Sequence, residues 1–140
     1  ASSRVADQLK KAHPKVNRLR SILGLDAKNP GIILKDADLD LTVDECVAGS
    51  LSFNGQRCTA LKILFVHEDI ADEFIKKFSA KVDALKVGMP WNNPTITPLP
   101  EDGKVEFLNG LIKDAESFGA KIVNETGGQS VGNLFAPTVL

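Results

Sequence analysis

The chain has 140 residues and a formal net charge of -1 from 17 Lys plus Arg against 18 Asp plus Glu. That is the length of one ordinary domain, and the apolar fraction of 43% suits a packed core rather than a disordered chain. So even a charge balance gives no general pull toward nucleic acid or acidic membranes. No apolar run approaches the ~18 residues of a membrane span. Two cysteines cannot make a disulfide framework, so a reducing, cytoplasmic compartment is expected.

Val5, Leu9 and Ala12 recur at helical spacing, and His13-Pro14 ends that helix, since a residue before Pro avoids the α region. Residues 19–23 read as a short strand. Asn29-Pro30-Gly31 reads as a turn, followed by a strand at Ile32-Ile33-Leu34. Asp36 and Asp38 offer oxygens for an N-cap. Leu39, Val43, Cys46, Val47 and Leu51 trace one helical face, and Asn54-Gly55 stops that helix. Leu61 to Val66 is nearly all apolar, as in strands covered on both faces. Glu68-Asp69 opens a further helix with the negative charge its dipole favours. Its apolar stripe is Ile70, Phe74, Phe78 and Val82.

Gly88 to Pro100 is a long irregular connection. Leu108, Leu111, Ile112 and Ala115 mark a helix closed by Gly119. Residues 120–123 read as a strand, Gly127-Gly128 as a turn and Phe135 to Leu140 as a last extended segment. The alternation predicts an α/β fold, a mostly parallel sheet with flanking helices. The start without Met and the apolar end suggest a chain cut at both ends.

Cys58 carries the most chemistry. It lies in Phe53-Asn54-Gly55-Gln56-Arg57-Cys58-Thr59, between a helix that has ended and a strand about to begin. Gly permits a close backbone approach by a ligand, and a neighbouring Arg favours thiolate over thiol. The plainer alternative is a buried structural Cys beside a turn. Cys46, on an apolar helix stripe, reads as core. His13 and His67 have no CxxC or HxxxH partner, so no metal site is expected. His67 reads as surface or cap; its pairing with Cys58 in a cysteine hydrolase has no local signature.

The segment Phe53-Asn54-Gly55-Gln56-Arg57-Cys58-Thr59-Ala60 resembles the catalytic-cysteine motif of the aldehyde dehydrogenase superfamily. Lys28-Asn29-Pro30 and Ile33-Leu34-Lys35-Asp36-Ala37-Asp38-Leu39-Asp40 are similar to the family's segment upstream of that cysteine. Val87-Gly88-Met89-Pro90 and Ile96-Thr97-Pro98 resemble segments downstream. Arg57 and Ile96-Thr97-Pro98-Leu99 point to the branch of non-phosphorylating, NADP-dependent glyceraldehyde-3-phosphate dehydrogenases.

This resemblance implies part of a catalytic domain, with 1–23 the end of the coenzyme-binding domain and 24–140 the N-terminal part of the catalytic domain. It implies Cys58 as catalytic nucleophile, Arg57 and Thr59 as substrate-binding residues, NADP (or NAD) as cofactor and a homo-oligomeric parent. The reaction implied is oxidation of an aldehyde through a thiohemiacetal and a thioester. Most of the dinucleotide-binding part, the oxyanion-holding Asn and the ribose-binding Glu of the family have no counterpart here. The family's general base falls on Gly24, with Asp26 the nearest carboxylate. The 140-residue chain alone is therefore expected to be inactive. The rival reading is a truncated, non-enzymatic relative serving as a binding or storage module.

Overall fold

The computed structural model describes residues 2–15, 18, 20, 22 and 27–140. The chain runs through helix α1 (Ser2–Ala12), strand β1 (Asn29–Ile33), helix α2 (Leu39–Leu51), strand β2 (Leu61–Val66) and helix α3 (Glu68–Asp83). Helix α4 (Lys104–Ser117) and the short strands β3 (Ser130–Val131) and β4 (Leu134–Phe135) complete it. The strand expected over 19–23 and the boundary at 23/24 fall outside the described residues.

Strands β1 and β2 pair in parallel, Ile32 beside Phe65 and Ile33 beside Val66, with α2 as the crossover between them. Parallel strands need such a connection, because a tight turn can only reverse the chain. The pleat sends Gly31, Ile33, Leu64 and Val66 to one face of the sheet. On that face lies the core: Ile33, Val43, Cys46, Phe74, Phe78 and Val82, all buried, from β1, α2 and α3. The Phe74 and Phe78 rings, one helical turn apart, stack with centroids 5.5 Å apart. The result is a β1–α2–β2–α3 layer, an α/β arrangement as expected.

Three expectations are corrected. β1 begins at Asn29 rather than at Ile32, so Asn29-Pro30-Gly31 is strand and not turn. Pro30 lacks a ladder donor, and the register shifts between Asn29 and Pro30. β2 is covered on one face only: Ile63 and Phe65, with Ile32 and Leu34, stay exposed on the other. No strand forms over 120–123; Val123 N–H donates to the Val139 carbonyl across a coil. In its place the two-residue turn Gly132-Asn133 closes the antiparallel β3–β4 hairpin.

Charge tidies the helix ends. Asp38 caps α2, its carboxylate accepting from the N–H groups of Asp40 and Leu41. His67 caps α3, Nδ1 accepting from Asp69 N–H at 3.2 Å. Lys77 meets Asp40 at 2.8 Å and Lys81 meets Asp44 at 2.6 Å, across α3 and α2.

The C-terminal segment is held by Asp83 and Asn124. The Asp83 carboxylate accepts from Thr126 Oγ1 at 2.7 Å, Thr126 N–H at 3.0 Å, Glu125 N–H at 2.9 Å and Asn124 Nδ2 at 3.0 Å. Buried Asn124 also donates to the Pro137 carbonyl and accepts from Val139 N–H. Desolvation raises the Asp83 pKa, but the four donors outweigh it and bring it down to about 2 from 3.8. A depressed carboxylate stabilises the fold above its unfolded pKa and loses that contribution as pH falls through its folded one. Because solvent screens this half-buried carboxylate, acid titration followed by thermal melts should show a pH-linked contribution of only about 1 kcal/mol. It should fade between about pH 4 and about pH 2 and be absent in Asp83→Ala. An unchanged acid limb in Asp83→Ala would show that other carboxylates carry it.

Candidate active site

Helix α2 ends into a tight coil, Ser52–Gly55. Phe53, Asn54 and Gly55 all have positive φ, at 54°, 57° and 65°. For Phe53 and Asn54 that conformation costs of order 1–3 kcal/mol each, so the surroundings must impose it. At Gly55 no Cβ fits: one would lie 2.7 Å from the Ser50 carbonyl oxygen.

What imposes the bend is a side chain. Asn54 Nδ2 donates to the carbonyl and hydroxyl of Thr97, both at 3.0 Å, and Asn54 Oδ1 accepts from Thr97 N–H at 3.0 Å. Thr97 is placed in turn by the 87–99 connection, bridged at Val87–Ile96 and tied to the β3–β4 hairpin through Leu99 N–H and the Asn133 carbonyl. Lys62 Nζ adds a bond to the Gly55 carbonyl at 2.6 Å.

Past this bend the chain makes one turn before β2. Ala60 N–H donates to the Arg57 carbonyl at 3.1 Å, which puts Cys58 and Thr59 at the two central positions. Cys58 and Thr59 are exposed, and Ala60 is buried. The Asn29 side-chain amide reaches across from β1. Its two N–H groups donate to the carbonyls of Cys58 at 2.7 Å and Ala60 at 3.0 Å.

The two thiols occupy opposite environments. Cys58 stands open on its turn, while Cys46 is buried in the core, where desolvation first and the Glu45 charge second push its pKa up. Cys46 is core, as its helical stripe predicts. The Arg57 guanidinium lies over the Phe53 ring, 5.3 Å from its centroid. Gly24 and Asp26 lie outside the described residues. His67 spends its Nδ1 lone pair on the α3 cap, so that nitrogen is not offered to Cys58 as a base. Asn29 and Asn54, neither of them a reactive group, hold the segment on either side of Cys58. In the sequence the signal for them is an amide beside a turn or a Pro.

A short turn thus presents an open thiol between a helix and a parallel strand of an α/β layer. Residues 1–140 match the aldehyde dehydrogenase family, and the chain belongs to that family. It is 46% identical over 118 residues to an NADP-dependent glyceraldehyde-3-phosphate dehydrogenase of Streptococcus equinus, covering 84% of this chain and 24% of that protein. The glyceraldehyde-3-phosphate dehydrogenase of Methanocaldococcus jannaschii, solved with NADP, superposes with a TM-score of 0.81 at 34% identity, over 97% of this chain and 29% of that one. A succinate-semialdehyde dehydrogenase of Burkholderia pseudomallei superposes at 0.74 and 35% identity, over 80% of this chain and 24% of that one. The chain thus spans about a quarter of the length of these relatives. Among the described residues no helix is long and apolar enough to cross a membrane.

Proposed function

We propose that this chain carries the nucleophile of an aldehyde-oxidising enzyme, with Cys58 as the attacking thiol and a phosphorylated aldehyde of the glyceraldehyde 3-phosphate type as substrate. The observation that carries the proposal is the exposed Cys58 at the centre of a turn fixed from both sides, by Asn29 and by the Asn54–Thr97 pair. Likeness to NADP-dependent glyceraldehyde-3-phosphate dehydrogenases supports the substrate class and NADP as the parent's cofactor. Residues 24–140 are assigned to the catalytic domain and 1–23 to the end of the coenzyme-binding domain.

The chemistry begins when the Cys58 thiolate adds to the aldehyde carbon. A C–S bond forms, the carbonyl π pair moves to oxygen, Cys58 N–H is the backbone donor proposed to steady that charge, and a proton from water then gives the hemithioacetal. Arg57 and Thr59 flank the thiol and face solvent, where Arg57 can leave the Phe53 ring for a substrate phosphate. NADP would supply the hydride acceptor.

The test is protection of Cys58. Glyceraldehyde 3-phosphate should slow iodoacetamide labelling of Cys58 and leave Cys46 untouched. Arg57→Leu should raise the concentration needed by roughly 10- to 150-fold, the worth of a charge-assisted pair of ~1.5–3 kcal/mol. Unphosphorylated glyceraldehyde should be indifferent to that change. Equal losses with both aldehydes would show that Arg57 does not read phosphate; no protection at all would remove Cys58 as the nucleophile.

A further inference from the structure

We infer that Asn29 is a positioning residue for the nucleophile: its side-chain amide locks the central peptide of the Cys58 turn in one orientation. The inference rests on the reading of Cys58 just given and extends it to a residue outside the motif.

In a four-residue turn the outer peptides are held by the bond that closes the turn, here Ala60 N–H to the Arg57 carbonyl. The central peptide is not. It can rotate by about half a turn, exchanging type I for type II geometry with little movement elsewhere. In this turn the central peptide joins Cys58 to Thr59, so its rotation resets ψ of the nucleophile itself. Asn29 Nδ2 meets the carbonyl of that peptide at 2.7 Å and holds it toward β1.

Two consequences follow for an oxygen developing charge beside Cys58. First, the Cys58 carbonyl, a partial negative charge, is kept on the β1 side. Second, C=O and N–H are antiparallel across a trans peptide, so Thr59 N–H is turned to the other side. By the same rule the Arg57 carbonyl, tied inward to Ala60, leaves Cys58 N–H facing outward. None of the described hydrogen bonds consumes that donor.

The residue type is dictated by the partners. Both are carbonyl oxygens, 2.7 Å and 3.0 Å from one nitrogen, so the group there must give two N–H bonds. An amide does this; a carboxylate of the same shape would set a negative charge against two acceptors. Pro30 completes the arrangement, because a residue before Pro is confined to extended backbone and Asn29 is held in β1. Asn54 works from the other flank on Thr97, so the two asparagines clamp the nucleophile segment from opposite sides.

The experiment uses the 140-residue chain with propionaldehyde as probe. Protection of Cys58 against iodoacetamide is titrated with the aldehyde, and Cys46 labelling is followed in the same samples as a report on opening of the fold. At equilibrium the adduct is the neutral hemithioacetal, whose oxygen gains one hydrogen bond of ordinary strength, so Asn29→Ala should raise the half-protecting concentration by about three- to tenfold. Direct alkylation of Cys58, which makes no oxyanion, should stay within about twofold, and Cys46 should remain slow. Asn29→Asp should lose protection at least as severely, and Asn29→Ser, with one donor left, should fall between. Serine also serves if the alanine variant does not fold.

Unchanged protection in Asn29→Ala and Asn29→Asp would overturn the inference and leave Cys58 as the nucleophile. Faster Cys46 labelling in step with the lost protection would also overturn it, by showing that Asn29 only holds the fold. An unsubstituted chain that shows no protection removes Cys58 as the nucleophile and the inference with it.

Discussion

In the folded chain Cys58 is expected to react with iodoacetamide about a hundred times faster than Cys46, or more. Cys58 is exposed on its turn, whereas Cys46 lies in the core beside Val43 and Phe74. A buried thiol reacts only through openings, and one costing ~3 kcal/mol exposes it in under about one molecule in a hundred. The difference should widen toward neutral pH, because desolvation raises the Cys46 pKa and leaves it protonated. Peptide mapping after brief labelling decides the matter. Comparable rates would mean that the α2 core opens easily, and faster labelling of Cys46 would displace Cys58 as the reactive thiol.

Phe74→Ala should be among the most damaging single changes to stability, at about 3–5 kcal/mol. Phe74 is 2% exposed and sits in the cluster that joins β1, α2 and α3. Its ring also stacks on Phe78, and such a pair adds ~0.5–1.5 kcal/mol beyond area. A domain of this size has ~5–15 kcal/mol to lose, so the variant should be partly unfolded at modest urea concentrations. Ser79 is the control on the same helix. It is buried and its Oγ has no partner among the described residues, so Ser79→Ala should be neutral or stabilising by up to ~1 kcal/mol. Urea denaturation of both variants checks the pair. A Phe74→Ala loss below about 1 kcal/mol would show that the cluster repacks.

The sequence makes α1, α2, β2, α3 and α4 legible because each carries a period or a terminal signal that physics makes local. Asp38 as a cap and the Phe74–Phe78–Val82 stripe are of that kind. Pro30 misleads, since Pro beside Gly signals a turn; here the strand tolerates it where the register shifts. The expected strand at 120–123 lacks a ladder partner, because Asn124 and Val139 take up the local donors and acceptors instead. The β3–β4 hairpin is readable after the fact from Gly132-Asn133, a two-residue turn with Gly132 at φ 57°. Of the site, the cysteine and its turn are local features and are readable. The two asparagine clamps are not, because their partners lie 29 and 43 residues away.

The Asn29–Cys58 bond spans 29 residues and crosses the parallel β1–β2 pair. On a ribosome adding ~5–20 residues per second, Asn29 therefore emerges roughly 1.5–6 s before the carbonyl it is to hold. Contacts between such distant segments form late, after the entropy of closing the loop has been met. Until then the nascent chain displays a thiol with ordinary flexibility, open to any electrophile, and an amide bonded only to water. Setting the Cys58 turn is in this sense a folding event: it acquires its orientation when the two strands dock, not when its own residues are made.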